Sequence, residues 1–438
     1  MFKPKIRHVP LAVAAMVACV NAQAGYQSPD GNFMLSGFGT LGVAKSSTKE
    51  AYFNYPGQGT GVQKDFGITP DSKIAVQGTY KLTPEVSATA QVMTKTNGYG
   101  DYQPTLEWAF AKWQVVPSVA VRVGRMGAPY FAISDFRDVG YANTWVRPPL
   151  DVYGQVPVSQ VEGFDISHQM TLGPVTLTST VWGGNSYAQF AVKKYNPADP
   201  TTEPSDVDIK RQLGINFNAD IDGGWTLRFG RVQGKLTVAS NGGHMLVDGL
   251  TATANTYAAF PVVHDPAAAG ALMFGDAAAN KRASFTGVAA TYDPGPYVIN
   301  LEYTKRKTDS FVSDTTGWYA SFGYRVQKFT PFIGVSQIKT NRRDANPLDA
   351  WPDFVKATPD AQAAIEGANA ILATQKLDDK TLSLGSRWDI SNSLALKFQY
   401  DQIFKPKDSA GVLASGTPSF VAESQKIRVL SFSADFVF

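Results

Sequence analysis

The stretch that decides the fold is the C-terminal one, residues 426–438, which reads KIRVLSFSADFVF. Apolar side chains occupy every second position here, namely Leu430, Phe432, Ala434, Phe436 and Phe438. The intervening positions include Ser431, Ser433 and the charged Asp435. A period of two residues is typical of a β-strand with one apolar and one polar face. About ten such residues cross a bilayer when the strand is tilted, so this stretch predicts a membrane-spanning β-strand.

The same alternation recurs along the chain, for example at 213–217 and 394–400. Tight turn signals divide these strands into pairs. We identify seven such turns, at 82–85, 116–118, 172–174, 220–224, 293–296, 326–329 and 389–393. Seven hairpins supply fourteen strands, and a first strand at 33–45 and the last at 426–438 bring the predicted number to sixteen.

Long connections alternate with these short turns. The predicted long segments are 46–72, 96–103, 127–159, 184–206, 234–282, 307–315, 340–379 and 404–424. Such asymmetry is typical of a transmembrane antiparallel β-barrel with short periplasmic turns and long extracellular loops. A β-sandwich does not need every second connection to be long. In the seventh loop, residues 359–376 carry apolar side chains at helical spacing, which predicts a short amphipathic helix on the barrel rim.

The N-terminus predicts export. Lys3, Lys5 and Arg7 precede an apolar run at 9–20, and Ala22-Gln23-Ala24 has the small-x-small form of a cleavage site. We therefore predict a signal peptide at 1–24 and a single barrel domain at 25–438. Cys19, the only cysteine in the chain, leaves lipoprotein acylation as an alternative.

Charge and cysteine content exclude several functions. The chain has 40 Lys and Arg against 37 Asp and Glu, and the signal peptide accounts for the excess. A neutral mature chain indicates no nucleic-acid partner. The predicted mature chain has no cysteine, so it enters an oxidising compartment without a disulfide.

Together, the signal peptide, the cysteine-free mature chain, the sixteen inferred strands and terminal Phe438 resemble the Gram-negative porin family of general-diffusion, 16-stranded barrels. The resemblance implies a homotrimer in the outer membrane, in contact with lipid and lipopolysaccharide. It makes Phe438, with Phe436 and Phe432, the signal read by the barrel-assembly machinery. It also implies a third loop, here 127–159, that folds into the pore; the Pro-Glu-Phe-Gly stretch common in general porins is missing.

We accordingly expect a water-filled channel for passive diffusion of small hydrophilic solutes and ions. A diffusion pore needs lumen charges at a constriction and no catalysis, cofactor or metal. Alternation places four wall residues in the lumen, namely Arg122, Arg228, Arg387 and Lys397. An arginine facing lipid at mid-membrane would cost ~2–4 kcal/mol, which favours the inward assignment. Arg125 has outward parity but lies at a strand end.

Two questions stay open from the sequence. In the fourth strand, one register puts Lys112 and Gln114 in the lumen, and the other puts Glu107 there. The third loop offers Asp135, Arg137, Asp138, Arg147 and Asp151. These charges either form an eyelet opposite the wall arginines or pair with each other and brace the loop. The loop's aromatic residues either pack it to the wall or stack on sugars.

Other functions are weighed against the pore. The histidines of the mature part, His168, His244 and His264, lie in no catalytic or metal-binding motif, so we predict no enzyme activity. The main alternative is a substrate-specific outer-membrane channel for a sugar or a small organic anion, and behind it a soluble secreted β-protein. The number of inward arginines predicts a weak anion preference.

Overall fold

The computed structural model describes residues 25–193, 202–239, 241–275 and 280–438, apart from positions 56, 60 and 415. The predicted signal peptide, 1–24, lies outside the described residues, and its cleavage stays a prediction.

Sixteen long antiparallel strands form a closed ring in the described part of the chain. They are β1 Phe33–Ser46, β2 Lys73–Lys81, β3 Val86–Thr96, β4 Tyr102–Val116, β5 Val119–Gly127, β6 Gln160–Leu172, β7 Val175–Lys193, β8 Thr202–Ile221, β9 Trp225–Ala239, β10 Lys281–Tyr292, β11 Tyr297–Thr308, β12 Asp314–Tyr324, β13 Phe329–Arg342, β14 Asp379–Ser391, β15 Leu394–Lys405 and β16 Gln425–Val437. Each strand pairs with its neighbour in sequence, and β16 pairs with β1 to close the barrel. A two-residue strand, Tyr26–Gln27, pairs beside the start of β1. The predicted strand number and barrel are confirmed.

The seven short turns join the strands where the sequence predicts them. The fourth long connection differs, because β7 and β8 extend over 19 and 20 residues and replace most of the predicted loop 184–206. Their pairing continues from Ser186–Ile209 to Lys193–Thr202. The prediction ended these strands where outward apolar residues stop. Main-chain hydrogen bonds need no apolar side chain, so the hairpin continues beyond the apolar part of the wall.

In the described residues, the other loops contain six α-helices. They are α1 Leu150–Tyr153, α2 Asn241–Thr256, α3 Pro261–Phe274, α4 Asp353–Lys356, α5 Pro359–Ala373 and α6 Pro418–Ala422. The seventh-loop helix was predicted and is α5, which starts where the Thr358 hydroxyl accepts a bond from the Ala361 N–H. The fifth-loop helices α2 and α3 lie within the segment 234–282, for which the sequence predicts only a long loop. None of the described helices is long and apolar enough to cross a membrane.

Helices α2, α3 and α5 pack together above the barrel rim, and we call them the helical cap. Their contact includes Leu250, Ala267 and Ala368, with Leu348 and Trp351 from the seventh loop. The cap therefore has its own small apolar core. This packing is why the segment is helical despite its low-complexity sequence.

The outward wall is apolar. Large exposed side chains include Leu213, Phe217, Leu227, Leu301, Phe322, Ile333, Leu384 and Phe398. Aromatic residues mark the wall at the turn-side rim, among them Trp225, Tyr297, Tyr324, Phe329 and Trp388. An apolar band flanked by aromatic side chains is the surface that a transmembrane barrel presents to lipid.

The seam between β16 and β1 is tightly packed by phenylalanine. Phe438 exchanges main-chain hydrogen bonds of 2.7 and 2.9 Å with Gly37. Its ring stacks on Phe436 at 6.4 Å, and a Cβ on Gly39 would lie 2.4 Å from the Phe436 ring. Glycine is needed at position 39 because the ring occupies the space of a side chain. Phe438, the predicted assembly signal, thus takes part in closing the barrel.

Candidate functional site

The third loop, residues 128–159 and here called loop L3, lies inside the barrel. Its Gln155 donates to the Thr304 hydroxyl of β11 at 2.6 Å, and its Val146 N–H donates to Gln399 of β15 at 2.9 Å. On another side, Tyr130 hydrogen-bonds Gln212 of β8. Loop L3 therefore spans the lumen and contacts well-separated parts of the wall.

An aromatic layer holds loop L3 against the wall from β7 to β12. It consists of Tyr130, Phe131, Trp145 and Tyr153 from the loop and Trp182, Phe285 and Tyr319 from the wall. Ring centroids lie 4.6 Å apart for Phe131–Tyr153 and 5.8 Å apart for Trp145–Tyr319. These rings are at most 5% exposed. The aromatic residues of the loop pack it to the wall in a dry contact.

Arg147 anchors the middle of loop L3. It donates to Asp71 of the first long loop at 2.5 Å, to Asp401 of β15 at 3.3 Å, and to the Ser431 hydroxyl of β16 at 2.7 Å. Its side chain is only 3% exposed. Charge and hydrogen bonds are both satisfied within the protein, so this placement favours the bracing interpretation for Arg147.

Lys397 and Arg387 hold carbonyl groups of the same loop. The Lys397 ammonium lies 3.1 Å from the Asp435 carboxylate, with both side chains fully buried. It also donates to the Gly140 carbonyl at 2.6 Å, and a Cβ on Gly140 would collide with Asp435 of β16 and Thr40 of β1. Arg387 donates to the carbonyls of residues 141 and 143. Both wall cations lie on the inner face of the barrel and hold loop L3, and their role in the pore constriction stays a prediction.

Asp151 lies at the base of α1 and is 1% exposed. The Ser336 hydroxyl donates to its Oδ2, while Oδ1 has no hydrogen-bond partner among the described residues. Burial raises the pKa of this carboxyl. Asp151 is therefore a buried loop residue that does not face open lumen.

A cationic cluster, Lys73, Lys95 and Arg137, surrounds Asp138 of loop L3. The carboxylate lies 2.9 Å from Lys73, 3.5 Å from Lys95 and 3.8 Å from Arg137. The four side chains are 14–30% exposed. Burial opposes ionisation of Asp138, but Lys73 and Lys95 outweigh it and hold the pKa of that carboxyl well below 3.8. These four side chains form a partly exposed charged group on the lumen side of loop L3, which we call the charged zone.

Sequence reasoning missed Lys73 and Lys95. Both could have been found from parity, because Lys73 shares the inward face of β2 with Ala75 and Gln77. Lys95 shares the inward face of β3 with Met93.

In the fourth strand, β4, both predicted inward assignments occur, because its register shifts partway along. Gln91 pairs with Trp108 and the next residue, Val92, pairs with Leu106, so Glu107 is the extra residue of a β-bulge. A bulge shifts side-chain parity along the strand. Glu107 is consequently inward and lies 3.4 Å from Lys95, and Lys112 is inward beside Arg122.

The turn-side lumen carries further charges. Arg122 pairs with Asp165 at 2.5 Å, and Arg228 donates to the Pro129 carbonyl at 2.7 Å. No carboxylate lies within ion-pair distance of Arg228 in the described residues. Asp135 is exposed on loop L3 and acts electrostatically on both arginines. Arg125 lies on the outer face, where it pairs with Glu162.

Above loop L3 lies a cavity of about 2180 Å³, which we call the vestibule. Its floor includes Tyr130, Gln155 and Val156 of the loop, its wall the loop-side halves of β8 to β11, and its roof the helical cap. His244 lines its rim, His168 faces outward, and His264 contacts Asp265. Nowhere in the described ranges do three His, Cys, Asp or Glu side chains form a group suited to a metal.

The charged zone makes one prediction about selectivity. Asp138→Asn is expected to shift the reversal potential in a KCl gradient towards anion preference, because three cations lose their counter-charge. Asp293→Asn, at an exposed turn, is the matched control and should leave the potential unchanged. Equal potentials for Asp138→Asn and the wild type would show that ions do not pass this zone.

No protein-family model matches the sequence, and no curated protein matches it. Solved structures do match in fold. The outer-membrane channel DcaP of Acinetobacter baumannii aligns with a TM-score of 0.51 at 8% identity, over 95% of this chain and 100% of the other. An anion-selective porin from Comamonas acidovorans aligns with a TM-score of 0.50 at 12% identity, over 93% and 99%. OmpT of Vibrio cholerae gives 0.50 at 9% identity, over 94% and 100%.

The sixteen-stranded ring, the apolar outer band and the inward loop define the class of structure as a transmembrane β-barrel. Within that class, the chain has the fold of the outer-membrane porins.

Proposed function

We propose that this chain is an outer-membrane channel for passive diffusion of small hydrophilic solutes and ions, exported by its predicted signal peptide. The observation that carries the proposal is a closed barrel with a lipid-facing exterior and a loop that narrows the lumen. Such an arrangement restricts passage and needs neither a cofactor nor a catalytic group.

The permeation path runs past the charged zone. There, loop L3 leaves Lys73, Lys95 and Asp138 partly exposed, whereas the aromatic layer is dry. Lys112 and Arg228 add inward positive charge on the turn side. These cations support a weak anion preference.

A second candidate is a substrate-selective channel for a sugar or small organic anion. It is favoured by the packing between loop L3 and the wall, where a dry aromatic layer fills the lumen side of β7 to β12. A selective channel saturates with its substrate, whereas a diffusion pore conducts in proportion to concentration.

A homotrimer is supported by the outer surface of β2 to β5. A patch of small exposed side chains lies at its centre and is bordered by the larger Tyr80, Leu106 and Trp113; the small ones are Ala88, Ala90, Ala111, Val76, Val92 and Val123. The remaining wall presents large aromatic and aliphatic side chains. A flat surface of small residues allows close approach of a second subunit.

Lipopolysaccharide is the proposed lipid contact at the loop-side rim. Outward basic residues lie near the loop-side ends of β10, β11, β13, β14 and β16, namely Arg282, Lys305, Lys307, Lys339, Lys380, Lys426 and Arg428. Cations in this position suit lipid phosphates. Recognition of Phe438 by the barrel-assembly machinery remains part of the proposal.

Planar-bilayer recording of the detergent-purified protein tests the channel. Steps in groups of three with a linear current-voltage relation support a trimeric diffusion pore, and saturating transport of one solute supports the selective alternative. Correctly folded, membrane-inserted protein that never conducts would reject both.

A further inference from the structure

The turn-side end of the lumen carries a row of inward side chains with excess positive charge, which we call the basic row. Strand register aligns them across β2 to β6: Lys81 pairs with Ser87, Ser87 with Lys112, Lys112 with Arg122, and Arg122 with Asp165. Three of the five are cations and one is a carboxylate. Like charges directly opposite each other on neighbouring strands are destabilising, so the pairing of Lys112 with Arg122 is unfavourable by itself.

The one carboxylate of the basic row is committed to Arg122. Asp165 accepts hydrogen bonds from the Nε of Arg122 at 2.9 Å and from its Nη2. Within the part of the chain that the structure describes, the side chains of Lys81, Ser87 and Lys112 make no hydrogen bond or ion pair. Lys81 is exposed, and Ser87 and Lys112 are half-buried. These three side chains are therefore free to meet a solute.

Two further carboxylates lie near the basic row. Asp135 of loop L3 acts electrostatically on Arg122, and Glu85 of the first short turn accepts a hydrogen bond from the Thr83 hydroxyl at 3.0 Å. Neither forms an ion pair with Lys81 or Lys112 in the described residues. The two lysines thus have no counter-charge within the protein.

We propose that the basic row binds a dianionic phosphate group, carried by inorganic phosphate or by a phosphate monoester, between Lys81, Ser87 and Lys112. This inference rests on the proposed channel function and names a class of anion for it. Residues directly opposite on antiparallel strands have Cβ atoms about 5 Å apart, so the two lysines flank Ser87 from either side. Both ammonium groups and the serine hydroxyl can therefore donate to one anion.

The geometry of the basic row favours phosphate over a dicarboxylate. A phosphate monoester concentrates about −1.5 to −2 charges and three strong acceptor oxygens on one compact group. Three cations against Asp165 leave two positive charges in the row, which match that dianion. A dicarboxylate carries its charges on two separate groups, and only one of them can meet the donors around Ser87.

Calorimetric titration of the detergent-purified protein with glycerol 3-phosphate and with inorganic phosphate, at neutral pH and constant ionic strength, tests the site. We expect saturable binding to the wild type and an increase of about tenfold in the dissociation constant for Lys112→Met. This variant should fold, because it removes the unfavourable pairing with Arg122. Tighter binding of glycerol 3-phosphate would assign the site to phosphate esters, and tighter binding of inorganic phosphate would assign it to the free anion; both support the proposal.

Lys328→Met is the matched control. Lys328 is an exposed lysine in a short turn at the same end of the barrel, and its ammonium donates to the Ile390 carbonyl at 3.3 Å. It lies outside the basic row, so its loss should leave the dissociation constant of the wild type unchanged.

Equal dissociation constants for the wild type and Lys112→Met, or equal binding of succinate and phosphate, would overturn the proposal. If Lys112→Met does not fold, Lys81→Met removes the other lysine beside Ser87 and is expected to weaken binding as strongly. Calorimetry does not depend on conduction, so the site and the channel are tested separately. A wild type that conducts but binds no phosphate rejects only the site, and one that binds phosphate but never conducts rejects only the channel.

Discussion

Arg147→Ala is expected to release loop L3 and to enlarge the single-channel conductance severalfold. The substitution leaves the Asp71 and Asp401 carboxylates buried without their cation. Removing one partner from a buried ion pair costs about 3–5 kcal/mol. The loop can relieve that cost by leaving its seat, which lets water reach both carboxylates. Conductance of single channels in a planar bilayer measures the release.

Arg125→Ala is the control for this experiment. Arg125 also pairs with a carboxylate, but on the exposed outer face of the wall, and its loss should change neither conductance nor folding. A wild-type conductance in correctly folded Arg147→Ala would mean that the aromatic layer alone holds the loop.

Lys397→Met is expected to destabilise the barrel by about 3–5 kcal/mol, because Asp435 then keeps a buried charge without its ammonium partner. Asp435→Asn should be comparably harmful by leaving Lys397 unpaired. The double variant removes both charges and should regain most of the lost stability, since a neutral pair of similar size carries no uncompensated charge. Urea unfolding from lipid vesicles, followed by tryptophan fluorescence, measures all three free energies of unfolding.

One outcome of this double-mutant cycle would contradict the expectation. If the two single losses add in the double variant, Lys397 and Asp435 contribute separately, through the Gly140 carbonyl and the Thr40 hydroxyl respectively. The coupling between the two charges would then be absent.

The fold was predictable because a barrel wall repeats one simple rule. Each strand needs apolar residues at alternate positions, and each turn needs Gly, Pro, Asp or Ser, so local pattern and global structure agree. This rule of alternation predicts the structure wrongly where strands leave the lipid or where a bulge interrupts the pairing. β7 and β8 continue as paired strands in water, and the bulge at Glu107 changes parity within one strand.

The site was predictable only in part. Parity predicts that Arg122, Arg228, Arg387 and Lys397 face inward, because lipid excludes charge. The structure has all four on the inner face of the wall, and their part in the pore constriction stays a prediction. Parity does not indicate which carbonyl or carboxylate a lumen cation meets. Those contacts depend on the path of loop L3, whose sequence shows no regular apolar periodicity from which a path could be predicted. For the same reason, the burial of Arg147 and Asp151 and the contact of Lys73 with Asp138 could not be derived.

The position of Gly140 has a consequence for the order in which the chain is made. This residue of loop L3 fits between Asp435 on the last strand and Thr40 on the first. The space that Gly140 occupies forms only when the first and last strands pair. Final docking of the loop therefore waits for the last residues to be synthesised and paired. A barrel caught before ring closure would hold its loop loosely, and proteases would cut there first.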